Sequence, residues 1–368
     1  MKRLANLGAA SVFAVGGGVA VTNTLASADG PALGTVAALG AAPALGSAAD
    51  APVVGMARTP SGGGYWLATS DGRVVPFGDA ADFGSLAGDR INAPILDIAA
   101  SPDGAGYWLV AKDGGIFAFG SAGYLGSTAQ AALARPVVGI APTPSGLGYW
   151  VAASDGGVFA FGDAAFHGSA GDRRINHPIV GLAATPSGHG YWLVARDGGI
   201  FAFGDATFLG STGGRRLNEP IVGMASTPTG AGYWLVARDG GVFTYGDAAF
   251  HGSLAGQAGA PVVDVDATPT GDGSWVATGG KFLGNFEVTC YALRGRTASG
   301  RLVGRDVVAV DPRVIPLGTE IFVGGEGTRV AADTGGNIKG RRLDIWRPSA
   351  ASCREFGRQT MPVYLPNG

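Results

Sequence analysis

The stretch from Pro178 to Ser211 reads PIVGLAATPSGHGYWLVARDGGIFAFGDATFLGS, and the same phrase recurs along most of the chain. The copies are spaced 42 residues apart four times and 41 residues apart once, which gives five complete units and the first half of a sixth. The units open at Pro52, Pro94, Pro136, Pro178, Pro220 and Pro261. A fixed period of about 20–50 residues is the signature of a repeat architecture, in which each unit buries its apolar faces against its neighbours.

Within a unit, the pattern predicts four short strands, represented by the segments PIVGLA, YWLVA, GIFAFG and FLGS. Asp197 and Gly198 separate the second segment from the third, and Asp-Gly between two apolar runs is a strong signal for a tight hairpin. Both of these segments are apolar at consecutive positions, which is typical of strands that are covered on both faces. A four-stranded unit of this length between two similar neighbours describes a propeller blade. The sequence therefore predicts an all-β fold that contains a six-bladed β-propeller.

The half unit at the end of the repeat, residues 261–278, needs a partner from elsewhere in the chain. Residues 34–47, GTVAALGAAPALGS, align without gaps on residues 240–253, GGVFAFGDAAFHGS. We therefore expect residues 34–47 to supply the third and fourth strands of the sixth blade and so to close the ring. The propeller domain is placed at residues 29–280.

Two recurring features of the repeat allow both a structural and a functional interpretation. The Tyr-Trp pair, as in Tyr191-Trp192, could stack on sugars, but its recurrence favours a core between the blades. The aspartate of the FGDA segment, as in Asp205, could bind calcium, but capping of a turn is the favoured interpretation. His167 and His251 occupy equivalent positions, whereas other copies carry Phe or Leu there, which argues against a ring of metal ligands.

The first 28 residues predict a secretory signal peptide. Lys2 and Arg3 precede an apolar stretch rich in Gly and Ala, and Ala26-Ser27-Ala28 has the small-x-small pattern of a cleavage site. We expect cleavage before Asp29 and a secreted or cell-wall location. A signal peptide retained as a membrane anchor is the alternative.

Cys290 and Cys353 are the only cysteines, and both lie after residue 280. Because export is predicted, we expect a disulfide between them. A catalytic thiol or a metal pair is the weaker interpretation, because neither cysteine has His or Cys neighbours. The same region, residues 281–368, carries a net charge of +5, whereas the rest of the chain carries −7. A mildly basic domain suits an anionic polymer, although a nucleic-acid partner would call for a denser basic patch.

Three aspartates in this last region, Asp311, Asp333 and Asp344, lie beside turn glycines and β-rich flanks. The motifs around them are, in chain order, Thr289-Cys290-Tyr291, Thr297-Ala298-Ser299-Gly300, Val310-Asp311-Pro312, Ile315-Pro316-Leu317-Gly318-Thr319, Asp333-Thr334-Gly335-Gly336-Asn337-Ile338-Lys339-Gly340 and Leu343-Asp344-Ile345. Through this ordered set, residues from about Phe286 to Leu365 resemble the 3D domain family, which is named for its three aspartates.

The resemblance implies a double-psi β-barrel, placed here at residues 281–368, and cleavage of the β-1,4 bond between N-acetylmuramic acid and N-acetylglucosamine. Lytic transglycosylases of the A type carry this domain in their C-terminal part. Their catalytic acid is the aspartate eleven residues after that of the DTGG motif, and Asp344 holds that position here. We expect the substrate to be bound by residues of the same motifs, namely Thr289, Tyr291, Thr297, Thr334, Gly335, Gly336 and Lys339.

The chemistry of the residues agrees with this assignment. A glycosidase normally needs two carboxylates, but a transglycosylase uses the 6-hydroxyl of its substrate as the nucleophile and can manage with one. That carboxyl must first donate and then accept a proton, so its pKa should be raised by burial and by neighbouring carboxylates. We expect Asp344 to be the acid/base, with Asp333 and Asp311 tuning its proton affinity or binding sugar hydroxyls. A turn-forming role for Asp311 before Pro312 is an equal alternative.

Three functions of different classes compete at this point. The favoured one is an exported peptidoglycan lytic transglycosylase whose propeller docks on wall polymer or on a protein partner. The second is an expansin-like protein that binds the wall without cutting it, and the third is an adhesion protein that acts through its propeller. No nucleotide-binding loop, zinc-ligand helix or serine elbow occurs in the sequence. We therefore expect no cofactor or metal, no nucleic-acid partner and no stable membrane insertion.

Overall fold

The computed structural model describes residues 35–46, 52–131 and 133–366. Within these ranges the chain forms 24 strands and one short helix, so the predicted all-β class is confirmed. Eighteen strands are arranged in six three-stranded sheets, and the remaining six strands form one closed barrel. The predicted signal peptide at residues 1–28 lies outside the described residues. The described part of the chain contains no helix that is long and apolar enough to cross a membrane.

The strands of the six sheets follow the repeat. In chain order they are β1 (Val36–Gly40), β2 (Val53–Arg58), β3 (Gly64–Thr69), β4 (Val74–Gly78), β5 (Ile95–Ala100), β6 (Gly106–Ala111), β7 (Ile116–Gly120), β8 (Val137–Pro142), β9 (Gly148–Ala153), β10 (Val158–Gly162), β11 (Ile179–Ala184), β12 (Gly190–Ala195), β13 (Ile200–Gly204), β14 (Ile221–Ser226), β15 (Gly232–Ala237), β16 (Val242–Gly246), β17 (Val262–Ala267) and β18 (Gly273–Thr278). In each sheet the second strand of the unit lies in the middle and is buried along its whole length, as expected for a blade covered on both faces.

The six sheets form a closed ring. The first strands of successive units contact one another in the order β2, β5, β8, β11, β14 and β17, and β17 returns to β2. β1 pairs antiparallel with β18, so the sixth blade combines the start and the end of the repeat region. The indole N–H of Trp275 donates to the carbonyl of Pro43 at 2.9 Å, which fastens the same two chain segments a second time. This ring defines a six-bladed β-propeller.

The prediction of a fourth strand in each blade is wrong. The FLGS-type segments form no strand, because a glycine of positive φ interrupts each of them, for example Gly168 at +127°. Side chains hold these segments instead of a ladder. In the third blade, the hydroxyl of Tyr191 from the next blade donates to the carbonyl of Gly168 at 2.5 Å and accepts from the amide of His167 at 3.2 Å.

The core between the blades is built from the recurring tryptophans and tyrosines. All six tryptophans are at most 1% exposed, so the prediction that they form a core rather than a sugar-binding surface is confirmed. Trp150 packs on Tyr191 of the next blade with ring centroids 5.5 Å apart, and its indole N–H donates to the carbonyl of Ala165 at 2.7 Å. Equivalent Trp–Tyr contacts join most neighbouring blades. Each tryptophan thus ties its own blade both to the following loop and to the adjacent blade.

The FGDA aspartates cap turns, as the favoured interpretation predicted. Asp205 accepts hydrogen bonds from the hydroxyls of Thr185 at 2.9 Å and Ser187 at 2.6 Å, which lie in the turn before the middle strand. The second blade makes the same link with the two residues exchanged, since the hydroxyl of Ser121 donates to the carboxylate of Asp103 at 3.0 Å.

The innermost strands line a central channel with a cavity of about 460 Å³. At one equivalent position, four of these strands carry glycine and two carry Asp97 and Asp264. Asp97 accepts from the amide of Ile140 in the next blade at 3.2 Å, and Asp264 accepts from the amide of Met56 at 2.8 Å. Both carboxyl groups lie deep among the blades while still touching the open space of the channel. Burial raises the pKa of Asp97 to about 7, and burial together with the charge of Asp97 raises the pKa of Asp264.

The barrel comprises β19 (Lys281–Tyr291), β20 (Val307–Ala309), β21 (Glu320–Val323), β22 (Gly327–Asp333), β23 (Arg342–Trp346) and β24 (Gln359–Leu365), with α1 (Ala350–Phe356) before the last strand. Its strand order is β19-β23-β20-β22-β21-β24, and β24 returns to β19. The pairs β19–β23 and β20–β22 are parallel, and the others are antiparallel. Alternate residues such as Val288, Val308 and Leu343 fill its interior.

The barrel is seated on the propeller with almost no linker. β18 ends at Thr278 and β19 begins at Lys281, and a Cβ at Gly279 would lie 2.1 Å from the carbonyl oxygen of Val53. Only glycine therefore fits at this junction. The aromatic rings of Phe322 and Tyr364 in the barrel pack on Ala260 of the propeller.

Charged groups surround this apolar contact. Glu320 of the barrel pairs with Arg238 and, at 3.3 Å, with Arg196 of the propeller. Burial alone would raise the pKa of Glu320, but the two guanidinium groups outweigh it and hold the pKa below its usual value. Glu219 accepts from the amide of Thr328 at 2.6 Å. Because breaking a buried pair is costly while forming it gains little, these contacts define the docking geometry more than they add stability.

The closing strand generates the first prediction. Leu39 of β1 is 1% exposed and packs in the core of the sixth blade, so Leu39→Ala is expected to lower the free energy of unfolding by about 2–5 kcal/mol. Leu147→Ala is the matched control, because Leu147 is 65% exposed. Urea denaturation measures both variants. Equal unfolding midpoints for the two would show that β1 does not belong to the blade.

The channel carboxyls generate the second prediction. Because their pKa values are raised, the folded protein binds more protons than the unfolded chain between about pH 4 and pH 7, so its stability should fall as the pH rises through this window. Thermal midpoints should therefore decline from pH 5 to pH 8, and Asp97→Asn should reduce that decline whatever its effect on absolute stability. The exposed Asp89→Asn is the control, and an identical pH profile for the two variants would contradict the assignment.

Candidate functional site

Four residues form a row across neighbouring strands of the barrel. Thr289 on β19 is paired with Asp344 on β23, Asp344 with Ala309 on β20, and Ala309 with Asp333 on β22. Directly paired residues point to the same side of a sheet, and the residues that flank Thr289, Ala309 and Asp344 along their strands pack in the barrel interior. The row therefore lies on the outer face, and it brings Asp344 and Asp333 to one place although eleven residues separate them in the sequence.

Asp344 is half-buried in this row. The hydroxyl of Thr289 donates to its Oδ1 at 2.8 Å and fixes the orientation of the carboxyl. Burial raises its pKa, the hydrogen bond from Thr289 opposes that effect, and the negative charge of Asp333 adds to it. The net shift is upward, so Asp344 holds a proton more readily than an ordinary aspartate does.

Asp333 is anchored where β22 ends. Its Oδ1 accepts from the backbone amides of Ala298 and Thr334, each at 2.9 Å. Its other oxygen makes no hydrogen bond with any residue of the described ranges. Two amides thus hold the carboxylate in place while one oxygen stays available to a ligand.

Tyr291 completes the group. Burial raises its pKa to about 12, and the charges of Asp333 and Asp344 add to this effect, so the phenol stays protonated. Its hydroxyl is buried and has no hydrogen-bond partner among the described residues. A buried hydroxyl without a partner is costly, so a donor or acceptor from a bound molecule would stabilise it.

Asp311 has partners of a different kind. Arg313 donates to it twice, from Nε at 3.0 Å and from Nη2 at 2.7 Å, and the amide of Gly340 donates at 2.8 Å. The hydrogen bonds from Arg313 hold its pKa well below the usual range. The charge that raises the pKa of Asp344 belongs to Asp333, and Asp311 makes no such contribution. Asp311 fastens the loop that follows the DTGG motif to the end of β20.

Some of the remaining predicted binding residues stabilise loops, and the others lie on the exposed surface. Thr297 is 6% exposed and closes a turn by contacts with Ser299 and Arg301. The same turn contains Ala298, whose amide donates a hydrogen bond to Asp333. A Cβ at Gly335 would lie 2.7 Å from Ile338, so this glycine serves packing. Thr334, Gly336 and Lys339 are exposed around the rim, and Gly336 has open space beside it.

The predicted disulfide is present. Cys290 and Cys353 are bonded with a Cα–Cα distance of 5.5 Å across 63 residues, and both cysteines of the described chain are used. The bond joins β19, at the residue before Tyr291, to α1. It therefore fixes the helix to the strand that carries Thr289 and Tyr291.

Sequence reasoning missed several residues that support the site. Arg313 neutralises Asp311, and the amide of Ala298 anchors Asp333, but neither residue type has a distinctive spacing that would reveal such a role. Asp311 and Arg313 are two residues apart, and this spacing predicts a contact only when the turn between them is known. No group of three or more His, Cys, Asp or Glu side chains in the described ranges is arranged to hold a metal ion.

The fold and the site define one class of domain, a small closed barrel of parallel and antiparallel strands with carboxylates on its outer face. Residues 306–367, which form most of the C-terminal barrel, match the family model of the 3D domain. The match covers the last part of the chain and leaves the propeller outside it.

Two relatives from Bacillus subtilis (strain 168) share this region. YabE, whose name describes cell wall shaping, is 37% identical over 86 residues, which are 22% of this chain and 21% of that protein. The cell wall-binding protein YocH is 42% identical over 79 residues, which are 20% of this chain and 28% of that protein. The chain thus spans less than a third of the length of either relative.

Among solved structures, the chain is similar to the β-propeller domain of Cps50 (Swd1) from Myceliophteria thermophila. The sequence identity is 12% and the TM-score is 0.41, over 61% of this chain and 82% of that one. A TM-score of this size does not define a fold. The assignment of the propeller rests on the six sheets and their closed ring.

The disulfide generates a prediction about the barrel. Closing a loop of 63 residues restricts the unfolded chain, so the double variant Cys290→Ser, Cys353→Ser should lose about 4 kcal/mol of barrel stability. Urea unfolding of the wild type with and without reductant measures the same difference, and the double variant serves as the control because reductant should not affect it. An unfolding midpoint of the wild type that is independent of reductant would contradict this expectation.

Proposed function

We propose that this chain is a cell-wall-associated, exported lytic transglycosylase that cleaves the β-1,4 bond between N-acetylmuramic acid and N-acetylglucosamine in peptidoglycan and forms a 1,6-anhydro product. The observation that supports it best is that a half-buried Asp344, whose pKa is raised, lies on the same outer face as Asp333, with Ala309 of β20 between them. The 3D domain and the names of the two relatives support the cell wall as the place of action.

Asp344 acts first as an acid and then as a base in this proposal. Its carboxyl protonates the glycosidic oxygen as the bond from that oxygen to C1 of the N-acetylmuramic acid breaks. The resulting carboxylate then accepts the proton of the 6-hydroxyl of the same sugar while O6 bonds to C1. No water is consumed, and one carboxylate performs both transfers. The raised pKa favours the first step because the acid form is present at higher pH than for an ordinary aspartate.

Asp333 and Tyr291 assist without transferring the proton. The carboxylate of Asp333 raises the pKa of Asp344 and stabilises positive charge that develops at C1 as the bond breaks. The unpartnered hydroxyl of Tyr291 donates to a sugar oxygen. Thr289 positions the carboxyl of Asp344 and does not contact the reacting atoms.

The way the barrel sits on the propeller supports action on a long polymer. β22 runs from Gly327, at the interface with the propeller, to Asp333 at the site. A strand of this length spans about 20 Å, so Asp333 lies about that far along the strand from the contact with the propeller. A glycan strand can then cross the outer face of the barrel, and the propeller remains free to dock on wall polymer or on a protein partner.

An expansin-like protein that binds the wall without cutting it is the second candidate. The name of YocH, a cell wall-binding protein, favours it. The two functions share the same outer face and differ in whether Asp344 transfers a proton.

Mass spectrometry of digested peptidoglycan tests the proposal. The wild type should release products that end in 1,6-anhydro-N-acetylmuramic acid, and Asp344→Asn should slow their release by about 100-fold or more, the contribution of a general acid/base. Asp306→Asn is the matched control, because Asp306 is an exposed aspartate of the same barrel outside the row.

Three results would contradict the proposal. Products with reducing ends would identify a hydrolase. Equal rates for Asp344→Asn and Asp306→Asn would remove the acid/base role from Asp344. Absence of any product, together with pull-down on insoluble wall that survives Asp344→Asn, would select the non-cutting binding protein.

A further inference from the structure

A second cavity lies beside the carboxylate row and is not explained by glycan cleavage. Its volume is about 520 Å³, within the usual range of ligand pockets. Its lining consists of Arg305, Trp346, Arg347, Pro348, Ser352, Glu355 and Phe356. We refer to it below as the helix pocket, because α1 forms one of its walls.

The helix pocket adjoins the proposed site through β23. Trp346 is two residues after Asp344 on this strand, and alternate residues of a strand point to the same side. The rise of about 3.3 Å per residue therefore separates the two side chains by about 7 Å at their origins. Trp346 is also paired with Tyr291 in the ladder, as Asp344 is paired with Thr289. Trp346, which lines the pocket, thus lies on the same outer face as the carboxylates.

The floor of the helix pocket is held in place by several contacts. The indole N–H of Trp346 donates to the carbonyl of Leu293 at 2.8 Å, which fixes the ring. The guanidinium of Arg347 lies 4.7 Å from the ring centroid of Phe356 and pairs with Glu326 at 2.5 Å. Glu326 also pairs with Arg329 at 3.3 Å, so the pocket lining combines aromatic rings with a guanidinium that is held in place by an ion pair.

The rim of the helix pocket carries two opposite charges that are not paired with each other. Arg305, which lies just before β20, and Glu355 on α1 both line the pocket and are exposed. Neither side chain makes an ion pair or hydrogen bond with another residue in the described ranges. The pocket lining therefore combines aromatic rings with an unpaired cation and an unpaired anion. Such a lining is complementary to a dipolar ligand.

We infer that the helix pocket binds a short peptide that carries both a free carboxylate and a free amine, as the peptide branch of a wall glycan does. The inference rests on the proposed function, because the glycan at Asp344 would deliver its peptide branch to the adjoining pocket. The carboxylate pairs with Arg305, the ammonium group pairs with Glu355, and the apolar part of the peptide packs on Trp346. The disulfide maintains this pocket, since it holds α1 against β19.

Calorimetric titration of the full-length protein tests the inference with three probes. These are a purified disaccharide-peptide with a free amine and a free carboxylate, the same compound acetylated at its amine, and the disaccharide without peptide. Binding is measured in the Asp344→Asn background, so that cleavage does not consume the probe. The disaccharide-peptide should bind about 10-fold more tightly than the disaccharide, which corresponds to about 1.4 kcal/mol.

The variants assign that gain to the rim. Arg305→Ala should remove the 10-fold advantage, and Glu355→Gln should abolish the difference between the free and the acetylated amine. Arg354→Ala is the matched control, because Arg354 is an exposed arginine of the same helix that does not line the pocket. The charge-exchanged variant Arg305→Glu, Glu355→Arg should recover part of the lost affinity if it folds as the wild type does, as judged by its thermal midpoint.

Equal affinities of Arg305→Ala and Arg354→Ala for the disaccharide-peptide would overturn the inference, and so would equal binding of the disaccharide with and without its peptide. These outcomes are separate from those of the digest. If anhydro products form but the rim variants bind the disaccharide-peptide as the wild type does, the lytic function stands and the peptide site is ruled out. If binding depends on the rim but no cleavage occurs, the peptide site stands and the lytic function is ruled out.

Discussion

The propeller depends on one recurring interaction, the packing of a tryptophan between its own blade and the tyrosine of the next. The tryptophan ring is fully buried, its N–H is bonded to a loop of its own unit, and the tyrosine hydroxyl is bonded to that same loop from the other side. Aromatic rings supply a large apolar area together with one polar group that must be satisfied, which suits them to this position. Because the loop is held from both sides, the blade needs no fourth strand at its outer edge.

The repeat made most of the propeller predictable, but the structure of the outer edge of each blade could not be predicted from it. A period of 42 residues and apolar runs at consecutive positions are properties of the sequence alone, and they indicate covered sheets between similar neighbours. The fourth strand was wrongly predicted because residues such as Phe166 and Leu209 have the composition of a strand. The positive φ of the glycine that follows and the hydroxyl that replaces the ladder depend on the neighbouring blade, which no local pattern reports.

In the barrel too, the sequence predicts some features of the site and not others. The ordered motifs identify three candidate aspartates, but they do not indicate which of the three lie together. Strand register places Asp344 and Asp333 in one row, whereas Asp311 lies in a loop and accepts hydrogen bonds from Arg313 and the amide of Gly340. The distinction follows from a ladder between β20 and β23 that joins residues more than thirty positions apart in the sequence, so it becomes visible only in three dimensions.

The closure of the ring also constrains the order in which the protein can fold. Thr35 and Thr278 share a hydrogen bond although 243 residues separate them, so the sixth blade is completed only after the whole repeat region has been synthesised. Contacts of such long range impose a large loop-closure cost and slow the final step of folding. The residues of β1 have no strand partner until β18 is present, because β1 pairs only with β18. The barrel follows directly after the strand that receives them, so it is docked on a ring that has just closed.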